Sequence, residues 1–444
     1  MLKTHRNKFK RIATITAAVV LLLLLIAYSY LSLRRYNTYK NTIHADAEFI
    51  IQLDVDRLYS SLAMDYLSNP SYYRKKSISS IESGLKIPSQ IFVYTVKSKS
   101  AQTFFCTLSV IDTLSLKLFA KQKLGITSFR NEGQYVTGSN ANGRFTIAFN
   151  ADNFVVGYSQ NAENVHDVLI DLLKKQNLLS ADDHRLTKLK ALKSHLAYVL
   201  NDFVGTGDFK NGQLHLEGDF STEHFVVKDK VFNHRVFDKN AIVKMWFSAA
   251  PFNKSYATVK LKSYNLAPDS LLKYYDGYVD LEMGNLVSQT DTVVTYEYND
   301  NFEKEETLTP RTVKVPGINS VIAGNAVGLN NYLSRANVIA KDKVNKELFP
   351  LYQLYVENNG DGLMLSTEQN RMKSDLRKDS PYFFYLDVDF EKLKAQGQFP
   401  VFEKYISLWS RLIVKANPET SQKNHFELDL HFKRKDINAF MQLQ

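Results

Sequence analysis

AEFIIQLDVDRL (Ala47–Leu58) and PYFFYLDVDFEKL (Pro381–Leu393) read alike, each an apolar run ending in Leu-Asp-Val-Asp and passing into a charged, helix-forming stretch. In the first, alternating and β-branched residues over Glu48–Val55 specify a half-buried strand, and Asp56 is placed to cap a helix carrying Leu58, Tyr59, Leu62, Tyr66 and Leu67 on one face. A shared tetrapeptide is expected about once by chance in a chain of this length, so the common strand-to-helix context carries the comparison. LAYVLNDF (Leu196–Phe203) and SVIAGNAVGLNNYL (Ser320–Leu333) are weaker versions of the same transition. Together they predict an internal duplication.

Around these anchors the pattern is rich in strands. IFVYTVKS (Ile91–Ser98), TFFCTLSVI (Thr103–Ile111), RFTIAFN (Arg144–Asn150) and NFVVGYS (Asn153–Ser159) follow the first, and Ala151-Asp152 suits a hairpin turn. Val165, Val168, Leu169, Leu172 and Leu173 recur at helical spacing, as do Leu329, Leu333, Ala336, Ala340 and Val344. From His195 to Asp300 strands with regularly spaced polar positions predominate, as antiparallel strands with one wet face require. The expected fold class is α+β: an N-terminal transmembrane helix, then a largely antiparallel, strand-rich ectodomain with packed helices. The expected divisions are a basic segment (1–11), the transmembrane helix (12–33), a juxtamembrane segment (34–42), a first half (43–235) and a second half (236–444).

The transmembrane expectation rests on Ile12–Leu33, 22 uncharged residues that would make a helix of roughly 33 Å. The stretch runs into Arg34 and Arg35 rather than into a small-x-small site, which favours a retained anchor over a cleaved leader. Five Lys/Arg precede it (Lys3, Arg6, Lys8, Lys10, Arg11) and three follow (Arg34, Arg35, Lys40), placing the N-terminus in the cytoplasm and the remainder outside it. The same residues account for eight of the +10 net charge, leaving a nearly neutral remainder. A nucleic-acid partner is therefore not expected, since its basic excess would lie on the folded domain. With one cysteine, Cys106, an intramolecular disulfide and a thiolate metal cluster are excluded.

The order of these features, with GLKIPSQIFVYTV (Gly84–Val96), FKNGQLHLEGDF (Phe209–Phe220) and the closing Asp436-Ile437-Asn438-Ala439-Phe440, resembles uncharacterised envelope-anchored proteins of Gram-negative bacteria grouped only as domains of unknown function. The resemblance spans most of residues 43–444 and implies a place, not a mechanism. Many such proteins are lipoproteins, whereas this chain has an apolar segment in that role.

Candidate chemistry is sparse. Asp54/Asp56 and Asp387/Asp389 would set paired carboxylates at strand ends, suited to a hard cation, but capping by Asp56 and Asp389 explains them better. His215, Glu217 and Asp219 alternate on one strand with His224 beyond, a weak metal pattern that solvated hairpin residues account for. Ser-x-x-Lys at Ser83–Lys86 and Ser270–Lys273 lacks companion motifs, and Gly205-Thr206-Gly207 is turn-like. SYYRKK (Ser71–Lys76) could touch lipid headgroups or an anionic polymer, and NDNFEKEE (Asn299–Glu306) could dock a partner. Trp246 and Trp409 are the rings to test for exposure. No catalytic residue, cofactor or metal is assigned. The expectation is a membrane-anchored envelope protein, in contact with the membrane through Ile12–Leu33, that binds another envelope protein or polymer without catalysis; the alternative is an anchored envelope hydrolase with a dispersed active site.

Overall fold

In a computed structural model, the described residues are 34, 38, 43–75, 83–221, 225–227, 231–251, 259–261, 264–298, 302, 304–369, 376–397, 403, 406–420 and 423–443. The chain divides into two compact units, residues 1–209 and 210–444; the expected division lay between 235 and 236.

Strands of the first unit are β1 (Ala47–Asp54), β2 (Gln90–Val96), β3 (Thr103–Val110), β4 (Ser128–Asn131), β5 (Val136–Ser139), β6 (Phe145–Phe149), β7 (Asn153–Ser159), β8 (Leu196–Leu200) and β9 (Phe203–Lys210). They form one antiparallel sheet in the order β4-β5-β6-β7-β3-β2-β1-β8-β9. Helices are α1 (Val55–Ser68), α2 (Pro70–Lys75), α3 (Thr113–Lys123), α4 (His166–Leu173) and α5 (His184–Ala191). The expected Val168/Leu169/Leu172/Leu173 stripe of α4 is buried with Leu186 and Leu189 of α5 in one core with Ile50, Tyr94, Phe105 and Val199. A second core gathers Leu116 and Ala120 of α3 with Ile147, Phe149 and Phe154.

In the second unit the strands of the main sheet are β10 (Gln213–Phe220), β11 (Val243–Ser248), β12 (Tyr275–Tyr298), β13 (Lys304–Gly324), β14 (Ile339–Ala340), β15 (Lys343–Val344), β16 (Tyr355–Asn359), β17 (Gly362–Ser366), β18 (Phe384–Asp389), β19 (Trp409–Pro418) and β20 (Asn424–Phe432). Their order is β14-β15-β16-β17-β13-β12-β11-β18-β19-β20-β10, again antiparallel throughout. The helices α6 (Pro268–Leu272), α7 (Ala326–Arg335), α8 (Phe390–Ala395) and α9 (Ala439–Leu443) accompany it. Leu329 and Leu333 of α7 pack on Ile339, Val356 and Leu363.

From β1 to β9 and from β11 to β19 the two sheets share chain order and spatial order, with α3 and α7 in corresponding places. The Leu-Asp-Val-Asp echo does not mark this correspondence: it pairs β1 with β18, whereas β1 corresponds to β11 and β18 to β8. Even the helix starts are two residues out of step. β1 stops pairing at Asp54, opposite Gln90, so Asp54 caps α1 by accepting from Arg57 N at 2.9 Å. β18 stays paired through Asp389, opposite Arg411, so Asp389 caps α8 by accepting from Lys392 N at 3.0 Å. The cap expected at Asp56 therefore belongs to Asp54.

Three further expectations are corrected. LAYVLNDF is not a strand-to-helix transition; it turns at Asn201, in the left-handed region, into the β8–β9 hairpin. The helix expected through Ala340 and Val344 stops at Arg335, because Asn337 takes positive φ and Val338 N bonds back to the Leu333 carbonyl; Lys341 and Asp342, also at positive φ, then close the two-residue β14–β15 hairpin, a turn that helical spacing of apolar residues cannot reveal. On α1, Tyr59 and Leu67 are exposed and only Val55 and Leu58 are buried.

The fold class is corrected as well. The described residues form strand-rich antiparallel sheets with few helices, and among them no helix is long and apolar enough to cross a membrane. The longest, α1, has 14 residues, which reach only about 21 Å against a hydrocarbon core of about 30 Å. A transmembrane helix is thus no part of the fold described; the segment on which it was expected, Ile12–Leu33, lies outside the described residues.

Candidate functional site

Where β1 gives way to α1, the first unit opens a cleft of about 560 Å³ lined by Asp56, Arg57, Ser60, Ser61, Met64, His195 and Asp208. Helical spacing places Arg57, Ser60, Ser61 and Met64 on one face of α1. The opposing groups come from strand ends. His195 immediately precedes β8, and its carbonyl accepts from Asp54 N at 2.8 Å. Asp208 stands across from it in β9, one step beyond the Gly207↔Leu196 pair, and its Oδ1 accepts from His195 N at 3.1 Å. The β8–β9 hairpin and the β1–α1 junction thereby fix a serine, an imidazole and a carboxylate in a line.

Within that line, His195 Nδ1 lies 2.9 Å from Asp208 Oδ1 and Nε2 lies 3.1 Å from Ser61 Oγ. Ser61 Oγ is also 2.9 Å from the carbonyl of Leu58, so its single proton chooses between that oxygen and the imidazole. Phe209 N–H approaches Nδ1 at 3.1 Å and competes with Asp208 for it. A carboxylate against a bare Nδ1 lone pair is repulsive, which favours the proton on Nδ1 and frees Nε2 to accept from Ser61. Burial holds His195 below the ordinary imidazole value; Arg57 works in the same direction, and Asp208 and Asp54 against it. The Nε of Arg57 is buried without a hydrogen-bond partner, 4.0 Å from Asp54 Oδ2. At the rim, Asp56 pairs with Arg34 at 2.7 Å, and Arg34 also donates to the carbonyl of Ile87.

Sequence reasoning set aside the acids of this region as caps and did not join Ser61, His195 and Asp208. They are 134 and 13 residues apart, and only the strand order brings them together. No local motif marks them.

The residues that the sequence did single out are otherwise engaged. Asp387 is held by both arms of Arg411 at 2.8 Å, so neither acid pair is an open carboxylate pair. His215 Nδ1 pairs with Asp429 at 2.7 Å, while Asp219, about 13 Å further along the strand, pairs with His425 at 3.0 Å. Glu217 lies 3.6 Å from His215 Nε2; His224 lies outside the described residues. A different trio, Asp219, Glu419 and His425, has ligand atoms within 4.8 Å of one another. The Lys423 ammonium sits between its two carboxylates, 2.9 Å from Asp219 and 2.7 Å from Glu419, so a cation already bridges the trio's acids. Trp246 is buried, stacked between His234 at 3.9 Å and Tyr385 at 4.3 Å, and Trp409 packs on Phe390. Ser83 Oγ accepts from Leu85 N, and the Lys273 ammonium lies over the Tyr274 ring. Burial pushes the Cys106 thiol up to about 12, keeping it protonated. Of SYYRKK, Ser71–Lys75 belong to the short helix α2, and the Arg74 Nε donates to the Tyr66 hydroxyl.

A second feature stands in the other unit. β12 and β13 continue as a two-stranded ribbon well past the sheet. β11 pairs only with Tyr278–Met283 of β12, and β17 only with Asn319–Ala323 of β13. Beyond Gln289, whose amide donates to the carbonyls of Gln353 and Thr367, nine cross-strand pairs run from Thr290↔Thr312 to Tyr298↔Lys304. Nine pairs span about 30 Å. Among the described residues these strands pair only with each other, and Phe302 at the tip is 88% exposed.

No family model matches the chain, and no curated protein matches it. Among solved structures it is similar to TP0453. Crystal form IV is 10% identical with a TM-score of 0.27 over 39% of this chain and 76% of that one. Crystal form III is 9% identical with a TM-score of 0.24 over 73% and 90%. Likenesses at these scores do not establish a common fold.

Proposed function

We propose that the protein is a binding and assembly module of the cell envelope whose working surface is the β12–β13 ribbon. The observation that supports this is the ribbon's pair of edges, which no other described strand covers. A two-stranded ribbon is marginal in water by itself, and each edge presents a row of N–H and C=O groups ready to pair with a third strand. Residues 290–312 carry six acidic and two basic side chains, a net charge of −4. A second copy would set like charge against like, so the partner fitting this edge is an extended, basic segment of another envelope protein. The apolar segment Ile12–Leu33 is the proposed membrane contact, with the two units on the extracytoplasmic side.

The test is in-cell photocrosslinking from position 290 or 312, the pair at the ribbon's base that both chains retain, compared with a chain in which residues 291–311 are replaced by Asn-Gly. A partner captured by the full chain and lost from the shortened one, with salt weakening its binding, is the expected result. Equal capture by both chains would refute the reading. A phosphatase fused after Gln444 should be active; an inactive fusion beside an active cytoplasmic reporter would overturn the proposed side.

A further inference from the structure

We propose that the cleft of the first unit is a nucleophilic site in which Ser61, His195 and Asp208 hydrolyse a carboxylic ester, with Arg57 as the group that meets the developing oxyanion. This goes beyond the ribbon: it lies in the other unit and uses none of the same residues. The geometry supplies the parts in order. In the tautomer with the proton on Nδ1, Asp208 accepts from Nδ1, Nε2 faces the Ser61 hydroxyl within hydrogen-bond reach, and both open on a concavity of a size that takes a small ligand. Arg57 lies one helical turn before Ser61 on the same face. Met64, one turn after it, gives an acyl chain an apolar neighbour.

In the step itself, Ser61 Oγ attacks the ester carbonyl carbon as its proton passes to His195 Nε2. The carbonyl oxygen gathers negative charge, which the Arg57 guanidinium neutralises. The intermediate collapses with cleavage of the bond to the alkoxy oxygen, and the leaving alcohol takes the proton from Nε2. Water then attacks the acyl-serine and gives its proton to Nε2. Release of the carboxylic acid returns that proton to Ser61, so atoms and charge balance with water as co-reactant.

A second observation separates this arrangement from what the fold needs. In the other unit the residue immediately before β18, in the place that His195 takes before β8, is Phe383, 1% exposed and packed among aromatic rings. The residue across from it in β19 is Asn417, beyond the Phe384↔Ala416 pair, in the place of Asp208. The same strand order is thus built with a phenylalanine there, so the scaffold does not demand a histidine and a carboxylate at these points.

The experiment treats the purified full chain with a fluorophosphonate probe and maps the adduct by mass spectrometry, with p-nitrophenyl butyrate hydrolysis as a second readout. The expected adduct is on Ser61. Ser61→Ala should abolish labelling and hydrolysis, and His195→Ala should lower the hydrolysis rate by 100-fold or more, on the order of the contribution of a general base. Ser68→Ala, near the C-terminus of the same helix, should leave both unchanged. The rate should fall with acid through a pKa below the ordinary value of about 6.5 for histidine. Folding of each variant is checked by circular dichroism. Absence of an adduct on Ser61 in the folded chain, or hydrolysis by Ser61→Ala equal to that of the unaltered protein, would overturn the proposal.

Discussion

Replacing Arg235 should destabilise the second unit by about 3–5 kcal/mol, the range for breaking a buried ion pair from one side. Arg235 is 6% exposed and faces two carboxylates buried more deeply still, Asp280 at 0% and Glu282 at 3%. Its Nε and Nη2 reach the two oxygens of Asp280 at 2.9 Å, and Nη1 reaches Glu282 at 2.8 Å. The acids are further held by the Tyr278 hydroxyl at 2.8 Å, Val321 N at 3.0 Å and Asp238 N at 2.7 Å. Arg235→Met leaves two negative charges in the interior with only these neutral donors. Arg235→Lys keeps the charge and loses the planar fork, so its loss should be smaller than that of the methionine variant. Combining Arg235→Met with Asp280→Asn and Glu282→Gln removes the uncompensated charge and should recover part of the stability. Urea unfolding followed by tryptophan fluorescence reads this directly, because Trp246 stacks on the neighbouring His234 and reports the same unit. A loss below about 1 kcal/mol for Arg235→Met, the usual worth of an exposed pair, would refute the reasoning.

Other consequences are quicker to test. Asp54→Ala should cost about 1 kcal/mol or more through loss of the α1 cap, and Asp56→Ala less, since it breaks only a partly exposed pair with Arg34; denaturant midpoints in the reverse order would contradict the assignment of the cap. Gly324→Ala should lower the thermal midpoint clearly, because Gly324 has φ +148 and an added Cβ would lie 2.0 Å from the Tyr274 carbonyl oxygen; an unchanged midpoint would count against that backbone path. Burial opposes ionisation of Asp429, but hydrogen bonds from His215 and Gln213 outweigh it and hold the carboxyl below its ordinary value. A depressed carboxyl stabilises the fold above its unfolded pKa of about 3.9, and that contribution is lost as pH falls through the folded value; Asp429→Asn should flatten this acid limb in a pH series of unfolding midpoints.

How much of this could be read beforehand depends on the range over which each signal acts. Period-two alternation and turn residues are local, so the strands at Glu48–Val55, Thr103–Ile111 and Asn153–Ser159 lie within a residue of β1, β3 and β7. The apolar spacing of α4 likewise announces its buried face. Capping is decided by where a strand loses its partner, which depends on residues far away: Gln90 for Asp54 and Arg411 for Asp389. That is why identical tetrapeptides start helices at different aspartates. The Arg235 network and the Ser61–His195–Asp208 line are equally non-local, each drawing on three elements that meet only once the sheet order is known. Polar residues inside a strand pattern look solvated until the partner strand is known, and Asp280 and Glu282, alternating in YVDLEMG, show how complete that disguise is.

The two units differ most where their common strand order leaves freedom. In the first, the β2–β3 hairpin turns within the sheet, with Lys99 N bonded to the Val96 carbonyl, and the polar residues gather beside α1. In the second, the corresponding hairpin of β12 and β13 grows into the ribbon, while the position of His195 is filled by the core ring of Phe383. Each device costs the sheet little. Lengthening a hairpin adds cross-strand pairs without disturbing register at its base, where Gln289 ties it to Gln353 and Thr367. A cleft at strand ends uses residues that the ladder has already released. Removing the ribbon should therefore leave cleft chemistry intact, and Ser61→Ala should leave partner capture intact. Loss of both on either change would mean that the ribbon and the cleft are not independent devices.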